Sequence, residues 1–409
     1  MLALAILVAG SPPAGGSLPL NPVADVPLPG RASRFDYQAV DATNRRLYVA
    51  HLGDGSLLAF DLDGQRVIRE VRGLPSVHGV AVAPERHLAF ATATAEKTLA
   101  LIDDRTFQVQ ARVPAGEYPN GLAYDPRSGR VFVSNNSGVG VGVVDVATAH
   151  PLPGIDIGGG AGNTQYDADS GHVLAAVHGQ PYLADIDPVA SRVASRIALH
   201  DVRTCHGLLV ASGVHLTFAA CHGAAPSLVV VDLSSRRQTA TLPLPADIDV
   251  LAFDPGLQRL YAASESGTVA VFAVAADRGV TELGRGFVGP NAHSVAVDPA
   301  THRVYFPLAD VGGRPVLRVM DARVTSTRPL SSLLRNDGGL VEHAGLFCSL
   351  GLFGFRLPPS GHALTRVTPH LPLMRLAPRR LAPRLAWRRP LRSRRFGSSC
   401  DRAAEGELS

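Results

Sequence analysis

One unit of sequence, repeated seven times, constrains this chain more than any other feature. In residues 120–145 (NGLAYDPRSGRVFVSNNSGVGVGVVD), short runs rich in β-branched and aromatic residues alternate with turn residues, which predicts strands joined by hairpins. A period of about 40–45 residues with four strands per unit is typical of a β-propeller. We therefore predict an all-β fold, a seven-bladed β-propeller of four-stranded antiparallel blades. The turn position recurs every 42 to 44 residues, at Asp41, Ala83, Asp125, Asp167, Ala211, Asp254 and Asp298.

The two ends of the repeat region complement each other. Residues 23–28 (VADVPL) look like a fourth strand with no repeat before it, whereas the last unit, 293–321, loses the pattern after its third strand. We therefore predict that the N-terminal strand completes the seventh blade, because this joins the ends of the ring and removes an open sheet edge. The predicted propeller spans residues 23–321.

Aspartates at the turn positions are predicted to be structural. Asp-Pro pairs occur at 125–126, 254–255 and 298–299. Proline presets the backbone for a tight turn, and the preceding carboxylate can accept hydrogen bonds from nearby backbone N–H groups.

The segments outside the propeller differ from it in composition. Residues 1–16 combine a short apolar stretch with small residues, as a secretory signal does, although no positive charge precedes the stretch. We expect export, to the periplasm or the medium; the stretch is too short to span a membrane. Residues 322–409 lack the repeat and include LAPRRLAPRLAWRRPLRSRR. We interpret them as a disordered basic tail, such as an out-of-frame translation would give, with an arm for nucleic acid or anionic membrane as the alternative.

Charge is distributed unevenly along the chain. Residues 1–321 hold 24 Lys/Arg and 30 Asp/Glu, whereas residues 322–409 hold 15 Arg and 5 Asp/Glu. The net charge of +4 therefore belongs to the tail. A mildly acidic propeller argues against binding that is driven by nucleic-acid phosphates.

The starts of the first strands are the predicted ligand-binding site. These strands line the channel of a propeller, and polar residues stand about five positions before most of the turn positions, with others at the end of the second strand. The predicted channel ring consists of Asp36, His51, His78, Asn120, Asn163, His178, His206, His222, Asp249, Glu265 and His293.

Histidines and carboxylates that converge from separate blades can bind a metal ion or act in acid–base chemistry. The alternative is a ring of wet channel residues without any chemistry. We expect a divalent or soft metal ion as the cofactor if one binds, and His206, His293 and His78 as its ligands. The sequence contains no nucleophile elbow, phosphate loop, HExxH or paired CxxC.

Cys205 and Cys221 are the cysteines of the predicted propeller, and a hairpin around residues 211–215 would place them opposite each other. Three interpretations stay open: a cross-strand disulfide, a soft-metal site with His206 and His222, and two buried free thiols.

The repeats LYVAHLGDGSLLAFD, RVFVSNNSGVGVGVVD and LYAASESGTVAVFAV resemble the YVTN-type β-propeller repeat, and residues 23–321 resemble a YncE-like protein. RFDYQAVD (34–41), VHGVAV (77–82) and VGPNAHSVAVDPATHRVYFPL (288–308) are similar to an exported bacterial subgroup. The resemblance implies a seven-bladed periplasmic or secreted propeller, and the family has no agreed activity. Cys205 departs from the family, whose members tend to have Asn there, and the tail has no counterpart.

Three functions are compatible with the sequence. The first, which we favour, is an exported, non-enzymatic propeller, expected to be a monomer, that binds a small ligand, metal ion or protein partner at its channel face. The second is a metal-assisted lactonase or lyase that uses the channel histidines and carboxylates. The third is a scaffold or nucleic-acid binder, which the acidic propeller disfavours.

Overall fold

The computed structural model describes residues 16–323, apart from Val139, Arg203 and Ala224. Within this range the chain forms seven four-stranded antiparallel sheets, which confirms the predicted seven-bladed β-propeller. The described residues contain no helix that is long and apolar enough to cross a membrane. The predicted signal segment and basic tail lie outside the described residues, except for Gly16, Ala322 and Arg323.

The strands follow one another with short connections. The first strand in the chain is β1 (Leu20–Pro27). Blades 1 to 3 contain β2 (Gln38–Asp41), β3 (Arg46–His51), β4 (Ser56–Asp61), β5 (Arg66–Arg72), β6 (Val77–Ala83), β7 (Leu88–Ala93), β8 (Thr98–Asp103), β9 (Val109–Pro114), β10 (Pro119–Asp125), β11 (Arg130–Asn135), β12 (Val141–Asp145) and β13 (His150–Ile155). Blades 4 to 6 contain β14 (Ala161–Tyr166), β15 (Val173–Val177), β16 (Tyr182–Asp187), β17 (Arg192–Ala198), β18 (Thr204–Ala211), β19 (Leu216–His222), β20 (Ser227–Asp232), β21 (Arg237–Pro243), β22 (Ile248–Asp254), β23 (Arg259–Ser264), β24 (Thr268–Val274) and β25 (Val280–Phe287). Blade 7 contains β26 (Ala296–Asp298), β27 (Arg303–Leu308) and β28 (Val316–Ala322). Single turns of 3-10 helix occupy Leu52–Asp54, Pro84–Arg86, Thr94–Glu96 and Ser212–Val214.

The first strands of the seven blades form a closed ring. Each one contacts the first strand of the next blade, and β26 of blade 7 contacts β2 of blade 1. These strands therefore line the channel. Six of the seven predicted turn positions are the last residue of such a strand, and Asp167 directly follows β14. The carboxylates of Asp125 and Asp254 accept hydrogen bonds from the backbone N–H groups of Arg127 and Gly256, as the Asp-Pro turns predict.

The N-terminal strand completes blade 7, as predicted. β1 pairs antiparallel with β28, from Leu20 opposite Ala322 to Pro27 opposite Val316, and the sheet order is β1-β28-β27-β26. The predicted start at Val23 was three residues late. A register shift between Pro22 and Ala24 explains the difference, because it breaks the alternation by which a strand is recognised.

The hydrophobic core is divided into seven clusters, one between each pair of adjacent blades. For example, Tyr48 and Leu57 of blade 1 pack with Ala91 and Ile102 of blade 2. In six of the seven blades, the second strand contributes a fully buried aromatic ring to the hydrophobic core: Tyr48, Phe90, Phe132, Phe218, Tyr261 and Tyr305. Because each blade needs both neighbours to cover its faces, the sheets are stable as a closed ring.

Close approach of neighbouring blades at the channel requires glycine at position 79. A Cβ there would lie 2.2 Å from the carbonyl oxygen of Asn120 in the next blade. We predict that Gly79→Ala lowers the free energy of unfolding by about 1–3 kcal/mol, because the two first strands must separate. Gly213→Ala is the matched control, since no described atom other than those of Gly213 and its chain neighbours lies within 4 Å of the added Cβ. Urea denaturation of the two variants measures the difference, and equal values would contradict the close-approach argument.

Candidate functional site

The starts of the first strands surround a polar cavity of about 520 Å³ at the mouth of the channel, called here the mouth cavity. Seven of the eleven residues predicted from the sequence line it. The lining residues are Arg34, Asp36, His78, Tyr118, Asn120, His206, His222, Asp247, Asp249 and Glu265. The repeat thus brings most of the predicted ring to one end of the channel.

Four predicted residues lie elsewhere. Asn163 lines a smaller cavity of about 230 Å³, among apolar residues further along the first strands. His178 contacts His206 and does not line the mouth cavity, and His293 is buried and does not line it either.

His51 is a buried residue at the end of β3. Its ring stacks on Phe35 with 4.1 Å between centroids, and Nε2 lies 3.0 Å from Ser33 Oγ. Its Nδ1 lies 3.8 Å from Asp54 Oδ2, which is beyond hydrogen-bond distance. Ser33, His51 and Asp54 therefore lack the hydrogen-bonded chain of a catalytic triad.

Sequence reasoning missed three residues of the mouth cavity, namely Arg34, Tyr118 and Asp247. Each of them lies two positions before a predicted ring residue. Residues two apart in extended chain point to the same side, so the period of two was the signal that could have identified them.

Three neighbouring blades bring ionisable groups together. Asp249 of blade 6, His293 of blade 7 and Asp36 of blade 1 each offer one ligand atom, and these atoms all lie within 4.8 Å of one another. We call this group the three-blade cluster. His78 Nε2 lies 3.9 Å from Asp36 Oδ2, and His206 Nε2 lies 3.4 Å from Asp249 Oδ1. The structure thus groups His293 with two carboxylates, whereas the ligand set predicted from the sequence grouped it with His78 and His206.

Hydrogen bonds fix the tautomer of His293. Nδ1 lies 3.1 Å from the carbonyl oxygen of Asn291, and a carbonyl can only accept, so Nδ1 carries the proton. Burial lowers the pKa of His293, which keeps the ring neutral. The Nε2 lone pair therefore faces the cluster. Burial and the nearby charge of Asp249 raise the pKa of Asp36 well above its ordinary range.

Arg34 partly balances the negative charge of the mouth cavity. Its guanidinium lies 2.8 Å from Glu265 and 3.7 Å from Asp249. Burial alone would raise the pKa of Glu265, but the hydrogen bond and charge of Arg34, with contributions from the nearby His293 and His222, together outweigh burial and lower the pKa. The lining includes four acidic side chains and one guanidinium. A positively charged ligand is therefore favoured over an anion.

A chain of contacts leads from the three-blade cluster toward blade 4. His178 Nε2 lies 3.1 Å from His206 Nδ1, and the other ring nitrogen of His206 faces Asp249. Burial, with smaller effects from His206 and His222, lowers the pKa of His178 to about 4. The His178 ring is therefore neutral near pH 7, and its low pKa makes it a weak proton acceptor.

Cys205 and Cys221 form a disulfide between β18 and β19, at the end of blade 5 that carries His206 and His222. This pairing corresponds to the first of the three interpretations of the sequence, the cross-strand disulfide.

Comparison with known proteins supports the fold. No protein-family model and no curated protein sequence matches the chain. Among solved structures, the chain is similar to Kuenenia stuttgartiensis hydrazine synthase, with a TM-score of 0.59 and 14% identity over 69% of this chain and 94% of that chain. It is also similar to a chain in the crystal structure of a mitotic checkpoint complex, with a TM-score of 0.62 and 9% identity over 78% of this chain and 97% of that one. At these identities the likeness shows the propeller fold alone, and YncE-like membership stays a prediction from the repeat motifs.

Proposed function

We propose that this chain is an exported, YncE-like β-propeller that binds a small, positively charged ligand at the mouth of its channel. The observation that carries the proposal is the mouth cavity of about 520 Å³, whose lining includes four acidic side chains and one guanidinium. Polar groups that converge on a concave site are the usual setting of ligand recognition. A ligand with positive charge is attracted by the carboxylates, whereas an anionic one would be repelled.

Tyr118 supports a ligand with an organic part. It is one of the few exposed large hydrophobic side chains of the described residues, with 41% of its surface accessible, and it lines the mouth cavity. Its ring lies 5.9 Å from that of His78. An aromatic face beside carboxylates is suited to an amine or a quaternary ammonium group.

We expect that a panel of diamines and quaternary ammonium compounds raises the melting temperature of the full chain, and that Tyr118→Ala weakens binding of the hits roughly two- to five-fold. The control is Phe287→Ala, an exposed aromatic residue outside the mouth cavity. Isothermal titration calorimetry measures the affinity of both variants for the hits. Hits whose affinity is the same in Tyr118→Ala as in the wild type would argue against this site.

The disulfide supports export, because disulfides persist in oxidising compartments and are rare in the cytosol. Cell fractionation of the bacterial host, followed by thiol labelling of the protein, tests this part of the proposal. We expect the protein in the periplasm or the medium with Cys205 and Cys221 protected from labelling. A cytosolic protein with both thiols labelled would contradict it.

A second candidate function is a metal-assisted lactonase or lyase, and the contacts between His178, His206 and Asp249 favour it. A neutral imidazole beside a cavity can act as a general base. The test is turnover of lactone and ester panels with added Mn²⁺ or Mg²⁺. Hydrolysis that His206→Gln abolishes would support an enzyme, and the lack of turnover on every substrate would leave the binding function.

A further inference from the structure

The geometry points to a divalent-cation site formed by Asp36, Asp249 and His293, an inference that rests on the proposed function of the same mouth cavity. These residues come from blades 1, 6 and 7, so the site exists only when the ring is closed. The ligand class is a transition-metal dication such as Mn²⁺ or Zn²⁺.

Two buried atoms of the cluster have no hydrogen-bond partner among the described residues. One is Oδ1 of Asp36, a residue that is 3% exposed, and the other is Nε2 of His293, which is 1% exposed. Leaving such atoms unpaired costs about 1–3 kcal/mol each. A cation bound between them provides a partner for both. It also neutralises the repulsion between Asp36 and Asp249, since their carboxylates belong to one cluster.

The distances fit a site that contracts slightly around an ion. His293 Nε2 lies 3.9 Å from Asp249 Oδ2, and the three ligand atoms lie within 4.8 Å of one another. Ligands about 2.0–2.2 Å from a zinc ion lie roughly 3–4 Å apart. Side-chain movements of under about 1 Å therefore suffice.

Neighbouring groups hold the ligands in place. The Asn291 carbonyl accepts a hydrogen bond from Nδ1–H of His293, the arrangement that metal-bound histidines commonly use to direct their other nitrogen at the ion. Arg34 and His206 both approach Asp249, at 3.7 Å and 3.4 Å.

Two carboxylate oxygens and one imidazole nitrogen favour Mn²⁺ or Zn²⁺ over Ca²⁺ and Mg²⁺, which prefer oxygen alone. Because Asp36 and Asp249 also line the mouth cavity, the remaining coordination positions are open to a ligand or water.

The alternative is that Asp36 is simply protonated. Its raised pKa fits that state when no cation is bound. A neutral Asp36 carboxyl group beside Asp249 needs no metal, so metal binding separates the two accounts.

The experiment titrates MnCl₂ and ZnCl₂ into the chelator-treated full chain and measures binding by calorimetry. It compares the wild type with Asp36→Asn and His293→Gln. We expect about one ion per chain, and an affinity at least roughly 100-fold lower in each variant, because each replaces a direct ligand by a weaker amide oxygen. His150→Gln is the matched control, since His150 is an exposed histidine of β13 outside the mouth cavity and the three-blade cluster, and the affinity of this variant should differ from that of the wild type by less than about three-fold. Circular dichroism establishes that each variant is folded.

A second measurement needs only the wild type. Electron spin echo modulation of the Mn²⁺-loaded protein should show ¹⁴N coupling from one imidazole. The inference is overturned if the wild type binds neither ion, if both variants bind like the wild type, or if the bound Mn²⁺ shows no nitrogen coupling. Binding of the ammonium probes without any metal binding would overturn this inference and leave the proposed function. If neither the ammonium probes nor the metal ions bind, this inference and the proposed function are both overturned.

Discussion

A chain that lacks residues 17–27 is expected to lose about 3–5 kcal/mol of its free energy of unfolding. The deletion removes β1, whose backbone hydrogen bonds to β28 contribute about 0.5–1.5 kcal/mol each, together with the buried side chain of Leu20. It also removes Asp25, which accepts two hydrogen bonds from Arg318, at 2.7 and 2.6 Å. Since most domains are stable by about 5–15 kcal/mol, urea denaturation should show a large loss.

Rescue by a peptide distinguishes the loss of β1 from general damage to the fold. A synthetic peptide with the sequence of residues 17–29 should bind the deleted chain by strand addition and restore much of the lost stability, because β28 then regains its partner. A peptide of the same composition in scrambled order is the control. Without rescue the exposed edge of β28 should promote association, which light scattering detects. A deleted chain that is as stable as the wild type would refute the role of β1.

Arg45→Met is expected to cost about 2–4 kcal/mol of unfolding free energy. Arg45 of blade 1 donates two hydrogen bonds of 2.7 Å to Asp298 of blade 7, so this pair also joins the ends of the ring. Asp298 is fully buried, and removing its partner leaves a buried charge. The expected loss is below that of a fully buried pair because the Arg45 side chain is 24% exposed. Lys97→Met, which breaks an exposed pair with Glu117, should cost under about 1 kcal/mol.

The cost of Arg45→Met should depend on pH. Burial alone would raise the pKa of Asp298, but hydrogen bonds from Arg45, Thr301 and the backbone of Ala300 more than offset this and lower it. A lowered pKa stabilises the fold above the unfolded-state pKa of about 4, and this stabilisation is lost as the pH falls through the folded-state pKa. Urea denaturation from pH 7 to pH 3 should therefore show the two proteins converging in acid. A constant difference would contradict the assignment.

The fold followed from the sequence because a propeller repeats its local signals. Turn residues such as Asp125 recur at a fixed period, and between them lie short runs rich in β-branched and aromatic residues. The start of β1 was less predictable. Most of its residues are exposed and its register shifts after Pro22, so it carries little alternation.

The site was predictable as a ring but not as a set of contacts. The repeat predicted that Asp36, Asp249 and His293 lie at one end of the channel, because each stands five residues before a turn position. Which of them meet depends on blade order and on side-chain direction, which the repeat pattern does not contain. His51 shows the limit, because its position at the end of β3 fitted the ring while its side chain packs on Phe35. The repeat locates residues along a strand, and packing between blades decides which ones share a cavity.

The most direct test of a cation site at the channel mouth is an anomalous difference map from crystals of the protein soaked in MnCl₂. We predict one dominant peak between Asp36, Asp249 and His293, within bonding distance of all three side chains. A map with no peak in the mouth cavity at a saturating concentration of Mn²⁺, or with peaks only at other surfaces, would contradict the account.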